Sequence, residues 1–219
     1  MIIDCISDLH GHYPELKGGD LLIVAGDLTA HDNDAGYLKF YAWLHKQEYK
    51  KYVIIAGNHD HMIEWGQTII DRLDRTHYLQ DSGTEFDGLK IWGSPWTLSF
   101  EGMNPQCTAF TVETEEELSE KWALIPNDID ILVTHCPPRC YLDLITLPSG
   151  EDQLCGSASL NYASTQRIKP KYHIFGHIHE HGGRFFRTED TLFINASYVN
   201  EYYEPINTPI RIQDYHDDH

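Results

Sequence analysis

The sequence predicts a layered α/β fold, with β-sheets flanked by helices. Two observations carry this. Short β-rich runs recur along the chain, several of them continuously apolar, as in strands covered on both faces. Helix-like stretches separate the early runs, whereas the late runs lie close together.

The strand-like runs are Ile2–Ile6, Leu21–Ala25, Tyr52–Ala56, Leu89–Trp92, Ile131–Thr134, Tyr172–Phe175, Gly183–Phe186 and Thr191–Asn195. Of the helix-like stretches, Asp34–Glu48 places Tyr37, Tyr41 and Leu44 on one face at i, i+4 and i+7. A second is expected over Trp65–Arg75. A third, Thr114–Trp122, opens with Thr114 and Glu117 as a capping box. The fourth, Ser157–Ile168, is limited by Pro170, which disfavours helix in the residue before it. The segment from Phe100 to Phe110 contains Gly102, Asn104, Pro105 and Gln106 and is expected to be a loop. No internal repeat or linker interrupts the pattern. One domain over residues 1–212 is expected, with residues 213–219 as an acidic, flexible tail.

A chain of 219 residues suits one domain with a sizeable core. Its formal net charge of −18, from 34 acids against 16 bases, opposes stable binding to nucleic acid or to an anionic membrane. Most of the acids solvate the surface; a few are expected to be metal ligands whose charge a cation offsets. The cysteines are Cys5, Cys107, Cys136, Cys140 and Cys155, an odd number with no Cys-x-x-Cys spacing. That argues against a disulfide framework or a thiolate zinc site and for reduced thiols in the cytoplasm. No apolar run approaches the ~20 residues of a membrane span. No signal peptide is visible, because the first strand begins at once and leads into Asp8.

The informative residues sit just past the apolar runs. Ile6 leads into Ser7-Asp8-Leu9-His10-Gly11, Ala25 into Gly26-Asp27, and Ala56 into Gly57-Asn58-His59-Asp60. Thr134 leads into His135, and Phe175 into Gly176-His177-Ile178-His179. In an open sheet, ligands bind in the crevice outside the strand carboxyl ends. Five strands that each deliver Asp, Asn or His to that edge make a joint metal site. Taken singly, each motif is an ordinary turn, cap or surface loop; together, in this order, they point to a binuclear centre. Seven such side chains are more than one ion with open positions can use. Imidazole and carboxylate without thiolate suit Mn, Fe, Zn, Co or Ni, with Mn or Fe favoured.

With these motifs in place, the sequence resembles the calcineurin-like metallophosphoesterases, whose series is D-x-H, GD, GNH[DE], H and GHxH. All five are present without substitution, and the resemblance runs from Ile2 to about Ile212. Residues 91–96 (Ile-Trp-Gly-Ser-Pro-Trp), 133–138 (Val-Thr-His-Cys-Pro-Pro) and 193–197 (Phe-Ile-Asn-Ala-Ser) are similar to the metallophosphoesterase-domain-containing subfamily. So are Glu120-Lys121-Trp122 and residues 169–176. Some animal members of that subfamily carry Gly for the first His of GHxH and are weakly active; here the position is His177.

The resemblance implies a sandwich of two mixed sheets flanked by helices. It implies that Asp8, His10 and His179 bind one ion, that Asn58, His135 and His177 bind a second, and that Asp27 bridges them. His59 then binds no metal, meets the phosphate and assists the leaving group. The implied activity is hydrolysis of a small phosphodiester, a nucleotide among the candidates, by a water that the two ions acidify. A broad phosphomonoesterase and a non-catalytic metal-binding scaffold are the alternatives. Protein phosphatases extend GD into G-D-x-V-D-R-G, whereas Leu28-Thr29-Ala30-His31 follows Asp27 here and the phosphate-gripping arginine is absent. Asp60, His12, Arg139 and Trp96 are candidates for supporting or substrate contacts. Asp60 is considered as a partner orienting His59, and Trp96, Trp92 and Tyr141 as surfaces for stacking a nucleobase.

Overall fold

The structure, a computed structural model, describes residues 1–68, 75–99, 106–147 and 149–213. The first sheet contains β1 (Ile2–Ile6), β2 (Gly19–Ala25), β3 (Tyr49–Ile55) and β4 (Thr76–Tyr78). The second begins with β5 (Ser82–Phe86) and β6 (Leu89–Ser94). The short pair β7 (Thr97–Leu98) and β8 (Thr111–Val112) comes next. Then come β9 (Ile131–Thr134), the hairpin β10 (Leu144–Thr146) and β11 (Asp152–Leu154), and β12 (Tyr172–Phe175). The chain continues through β13 (Arg184–Arg187), β14 (Leu192–Asn195) and β15 (Ile210–Gln213).

The first sheet has the order β15-β1-β2-β3-β4, and the second β13-β14-β12-β9-β6-β5. Each has a parallel centre: β1 to β4 run parallel, as do β6, β9, β12 and β14. The antiparallel strands β15, β5 and β13 form three of the four edges, and the parallel strand β4 forms the other. Both sheets are therefore mixed.

The apolar runs are continuous because both faces of these strands are covered. Ile3, Cys5, Leu21, Ile23, Ala25, Val53 and Ile55 pack against Ile91, Ile131, Val133, Ile174, Ile194 and Ile212 between the sheets. The opposite face of the first sheet, Leu22, Val24 and Ile54, is covered by α1 (Asp34–Leu44) through Tyr37, Phe40, Trp43 and Leu44. The short helix α2 spans His61–Glu64. Leu132 of the second sheet is covered by Leu118 and Trp122 of α3 (Glu115–Ala123) and Leu160 of α4 (Ala158–Tyr162). Burial of each such large side chain contributes roughly 1.5–3 kcal/mol.

Several expectations shift. The helix expected over Trp65–Arg75 lies earlier: α2 ends at Glu64, Trp65–Thr68 form turns, and residues 69–74 lie outside the described residues. α1 stops at Leu44 because Tyr49 already starts β3. The Ser157–Ile168 helix is α-helical only to Tyr162, then widens into a π turn that Lys169 closes at φ 52°. Thr114 and Glu117 do form the capping box. Residues 106–110 form no regular element, while 100–105 and 214–219 lie outside the described residues. No helix among the described residues is long and apolar enough to cross a membrane. All five cysteines are free.

Candidate metal centre

The parallel strands of both sheets end at one edge, and their loops meet there. Asp8 N–H donates to Gly26 O (3.0 Å), His10 N–H to Asp27 O (3.2 Å) and Gly176 N–H to His135 O (3.2 Å). Ser7 N–H donates to Ala196 O (2.8 Å), tying the end of β1 in the first sheet to the chain leaving β14 in the second. The turns are tight. Asp8, His10, Asp27 and His177 all hold left-handed backbone, at φ 50°, 41°, 54° and 69°. Such conformations cost roughly 1–3 kcal/mol each and persist only where surroundings over-determine them. Gly176 is required by close approach: a Cβ there would overlap Asp8 Oδ2 and Ser7 Oγ.

The seven expected ligands converge. Asp8, His10, Asp27 and His179 each present a donor atom, and these atoms lie within 4.8 Å of one another. Asp27 Oδ2 is 3.6 Å from His10 Nε2, 3.5 Å from His135 Nε2 and 3.8 Å from His59 Nε2. Asn58 Oδ1 lies 2.9 Å from His135 Nε2 and 3.0 Å from His177 Nδ1. Asp27 thus stands between two groups, Asp8/His10/His179 and Asn58/His135/His177.

Second contacts hold these side chains in place. Asp8 accepts from His177 N–H (3.0 Å) and Ser197 Oγ–H (2.7 Å). His59 N–H donates to Asp27 Oδ1 (3.0 Å), turning Oδ2 toward the imidazoles. His135 Nδ1–H donates to Ala25 O (2.9 Å), which aims Nε2 inward.

The electrostatics suit a cation. Burial pushes the Asp8 carboxyl up, but the hydrogen bond and charge of His179, with His135, hold it well below the usual carboxylate range. Burial likewise opposes ionisation of Asp27, and His135 and His59 overcome it. Burial disfavours the His135 imidazolium, yet Asp27 raises that group to about 9. Burial dominates at His10 and His177, held down to about 4 and about 3 as neutral imidazoles. Two buried carboxylates therefore stay ionised beside the neutral imidazoles of His10 and His177 and the protonated His135. His10 Nε2 is buried with no hydrogen-bond partner. An orphaned imidazole nitrogen facing ionised carboxylates in a thiolate-free donor set fits a divalent metal.

Asp60 is fully buried and does not orient His59. Its Oδ2 accepts from Asp27 N–H (3.0 Å) and Gly57 N–H (2.8 Å), and its Oδ1 from Leu28 N–H (3.2 Å) and Tyr37 O–H (3.1 Å). It ties the Asp27 turn to the Gly57–Asp60 turn.

The site opens into a cavity of about 280 Å³, lined by Asp27, Asn58, His59, His177 and His179 together with residues no motif announced. The latter include Cys107, Glu180, Glu201, Tyr203 and the apolar Leu98, Ile145 and Ile178. Cys107 Sγ is 3.5 Å from His59 Nδ1, and Cys107 O accepts from Asn58 Nδ2 (3.2 Å). The other expected contacts lie elsewhere. Trp96 is engaged by Asp81 Oδ2 (2.7 Å) and by Lys121 Nζ above its ring (3.7 Å). Tyr141 stacks on Phe193, and Trp92 packs beside Leu132. Arg139 is exposed and does not line the cavity; the His12 N–H donates to Leu9 O (2.7 Å).

Residues 1–181 match the Calcineurin-like phosphoesterase family. The chain belongs to that family. Human metallophosphoesterase domain-containing protein 1 is 32% identical over 95% of this chain and 69% of its own length. A UPF0046 protein of Caenorhabditis elegans is 35% identical over 92% of this chain and 78% of its own. Among solved structures, a phosphopantetheinyl hydrolase of Mycobacterium tuberculosis superposes with a TM-score of 0.60 at 16% identity, covering 96% of this chain and 95% of that one. Family membership and the metal-competent cluster make this calcineurin-like phosphoesterase a metal-dependent phosphoester hydrolase.

Proposed function

We propose that this calcineurin-like phosphoesterase is a binuclear phosphodiesterase acting on small phosphodiesters, nucleotides among them, in the cytoplasm. The observation that carries the diester reading is the charge of the cavity wall. Among the described residues that line it there is no Lys or Arg, while Glu180 and Glu201 are there. A phosphomonoester arrives as a dianion and a diester as a monoanion, so the wall opposes the monoester more strongly. Leu98, Ile145 and Ile178 offer an apolar face to the second ester substituent. The net charge of −18 opposes stable association with nucleic acid or an anionic membrane. The five free thiols support the cytoplasmic setting.

Asp8, His10 and His179 would hold one ion and Asn58, His135 and His177 the other, with Asp27 shared between them. Mn or Fe suits this imidazole-carboxylate-amide set, and Zn, Co or Ni is also compatible. When bound, such ions lower the pKa of a coordinated water and offset charge on the phosphate.

The remaining steps belong to the chain. His135 would hold an ion as a neutral imidazole, so the proton that Asp27 favours on it would have to leave for the ion to bind. Ser197 and the His177 amide fix the Asp8 carboxylate, so little reorganisation accompanies turnover. His59 lines the cavity and is partly exposed, within reach of an ester whose phosphorus lies near Asp27; it donates a proton to the leaving oxygen. Asp60 holds the Asp27 and Asn58 turns in register.

The test is a panel on metal-stripped protein reloaded with Mn, Fe, Zn or Ni. It compares bis-p-nitrophenyl phosphate, p-nitrophenyl phosphate and cyclic nucleotides. Higher kcat/KM on the diester is expected. Preference for the monoester would overturn the diesterase reading, and silence with every metal would favour a scaffold.

A further inference from the structure

Tyr203 lines the cavity, yet no metal or phosphate motif accounts for it. The turn that carries it is built around Asn200. Asn200 Oδ1 accepts from the backbone N–H groups of Tyr202 (3.0 Å) and Glu204 (2.8 Å), and its Nδ2 donates to Glu204 Oε2 (2.9 Å). Tyr203 N–H closes the turn on Asn200 O (2.9 Å). Within it Tyr203 holds φ 62°, a left-handed conformation that a bulky aromatic adopts only when held there. The result is a ring placed edge-on to His10 (4.8 Å between centroids), His179 (5.3 Å) and, farther off, His59 (6.4 Å). Among the described residues no hydrogen bond engages its hydroxyl.

The cavity wall is short of donors. Among the described residues that line it there is no Lys or Arg, and one of the two Asn58 Nδ2 hydrogens is committed to Cys107 O. At about 280 Å³ the cavity equals roughly nine water volumes. A phosphate with two small substituents fills such a space and is brought against its lining residues, Tyr203 among them.

We propose that Tyr203 is a substrate-contacting catalytic residue whose hydroxyl donates a hydrogen bond to a non-bridging phosphate oxygen. The bond strengthens as negative charge collects on that oxygen in the transition state. Tyr203 takes the place of an arginine, which none of the described lining residues supplies, and a neutral donor suits a monoanionic diester. The inference rests on the phosphoester-hydrolase assignment.

The test compares wild type, Tyr203→Phe and Tyr203→Leu, each loaded with Mn. Bound metal is measured by elemental analysis, inorganic phosphate affinity by calorimetry, and kcat/KM on bis-p-nitrophenyl phosphate. For Tyr203→Phe, unchanged metal content, phosphate affinity weakened several-fold and kcat/KM reduced at least about tenfold are expected. Tyr203→Phe within twofold of wild type in both readouts would overturn the proposal, and a loss confined to Tyr203→Leu would reduce the ring to a wall. Metal loss in Tyr203→Phe would also overturn it, by assigning the hydroxyl to the metal site. If wild type hydrolyses no ester, the hydrolase assignment fails separately, and the phosphate-affinity ratio still decides Tyr203.

Discussion

Asp60→Ala should unfold the site from beneath. The carboxylate is fully buried and accepts four hydrogen bonds, from the N–H groups of Asp27, Leu28 and Gly57 and from the Tyr37 hydroxyl. Tyr37 O–H has a second acceptor in Asp32 Oδ1 (3.0 Å), so it is not orphaned. The three amides are. Each buried donor left without a partner costs about 1–3 kcal/mol, so Asp60→Ala should cost at least about 3 kcal/mol. Against a total stability of roughly 5–15 kcal/mol, that is a large fraction.

Asp60→Asn should cost much less. With Oδ1 facing Asp27 and Gly57, the new amide faces Leu28 N–H and a Tyr37 hydroxyl that can accept while donating to Asp32. Only the Leu28 amide then loses its acceptor, at about 1–3 kcal/mol. Part of that is returned. Burial and the charge of Asp27 push the Asp60 carboxyl up to about 7, so the neutral amide removes an unfavourable charge. The assay is urea denaturation of the metal-free protein near pH 7.5. The reasoning fails if Asp60→Ala lies within about 1 kcal/mol of wild type, or if the Asn variant is the less stable of the two.

Three further outcomes are expected. His59→Ala should lose at least about a hundredfold in kcat while keeping its metals, since the side chain faces the cavity beside Asp27; proportional loss of metal, measured by elemental analysis, would contradict this. Asp27→Ala should lose metal outright, because its carboxylate faces both ligand groups; a fully loaded, active variant would defeat the shared-ligand assignment. His173 is buried between Thr134 Oγ1 (2.9 Å) and Ser164 Oγ (3.1 Å), and burial holds it down to about 3, against an ordinary 6.5. The unfolded chain takes up that proton below 6.5 while the folded one does not, so stability falls as pH drops from 6.5 toward 3. From pH 7 to 5 wild type should lose about 2 kcal/mol more than His173→Gln; parallel urea midpoints would refute it.

The residues that gather at this edge were legible because each sits just past an apolar run. A buried strand ending in Asp-x-His or Gly-His-x-His announces both its own end and the donors placed there. The centres of both sheets were legible for the same reason. What escaped depends on contacts distant in sequence. Asp60 looks like a candidate partner for its neighbour His59, and only the fold shows its oxygens turned to Asp27, Leu28 and Gly57. Tyr203 lies in a Glu-Tyr-Tyr-Glu turn with no motif, and reaches the histidines only because Tyr198 N–H donates to Ser7 O (2.8 Å) and anchors that segment to the end of β1. Strand β15 is four residues long and gains its identity from pairing with β1. Trp96 offered an aromatic face in the sequence, but Lys121 and Asp81 engage it.

The central claim is a pair of ions held by seven side chains that share Asp27. Its most direct test is a titration of metal-stripped protein with Mn, tracking bound metal per chain and hydrolysis of bis-p-nitrophenyl phosphate together. Two ions per chain, with activity rising as the second binds, is the predicted result. A plateau at one ion with full activity, or no binding at all, would contradict it.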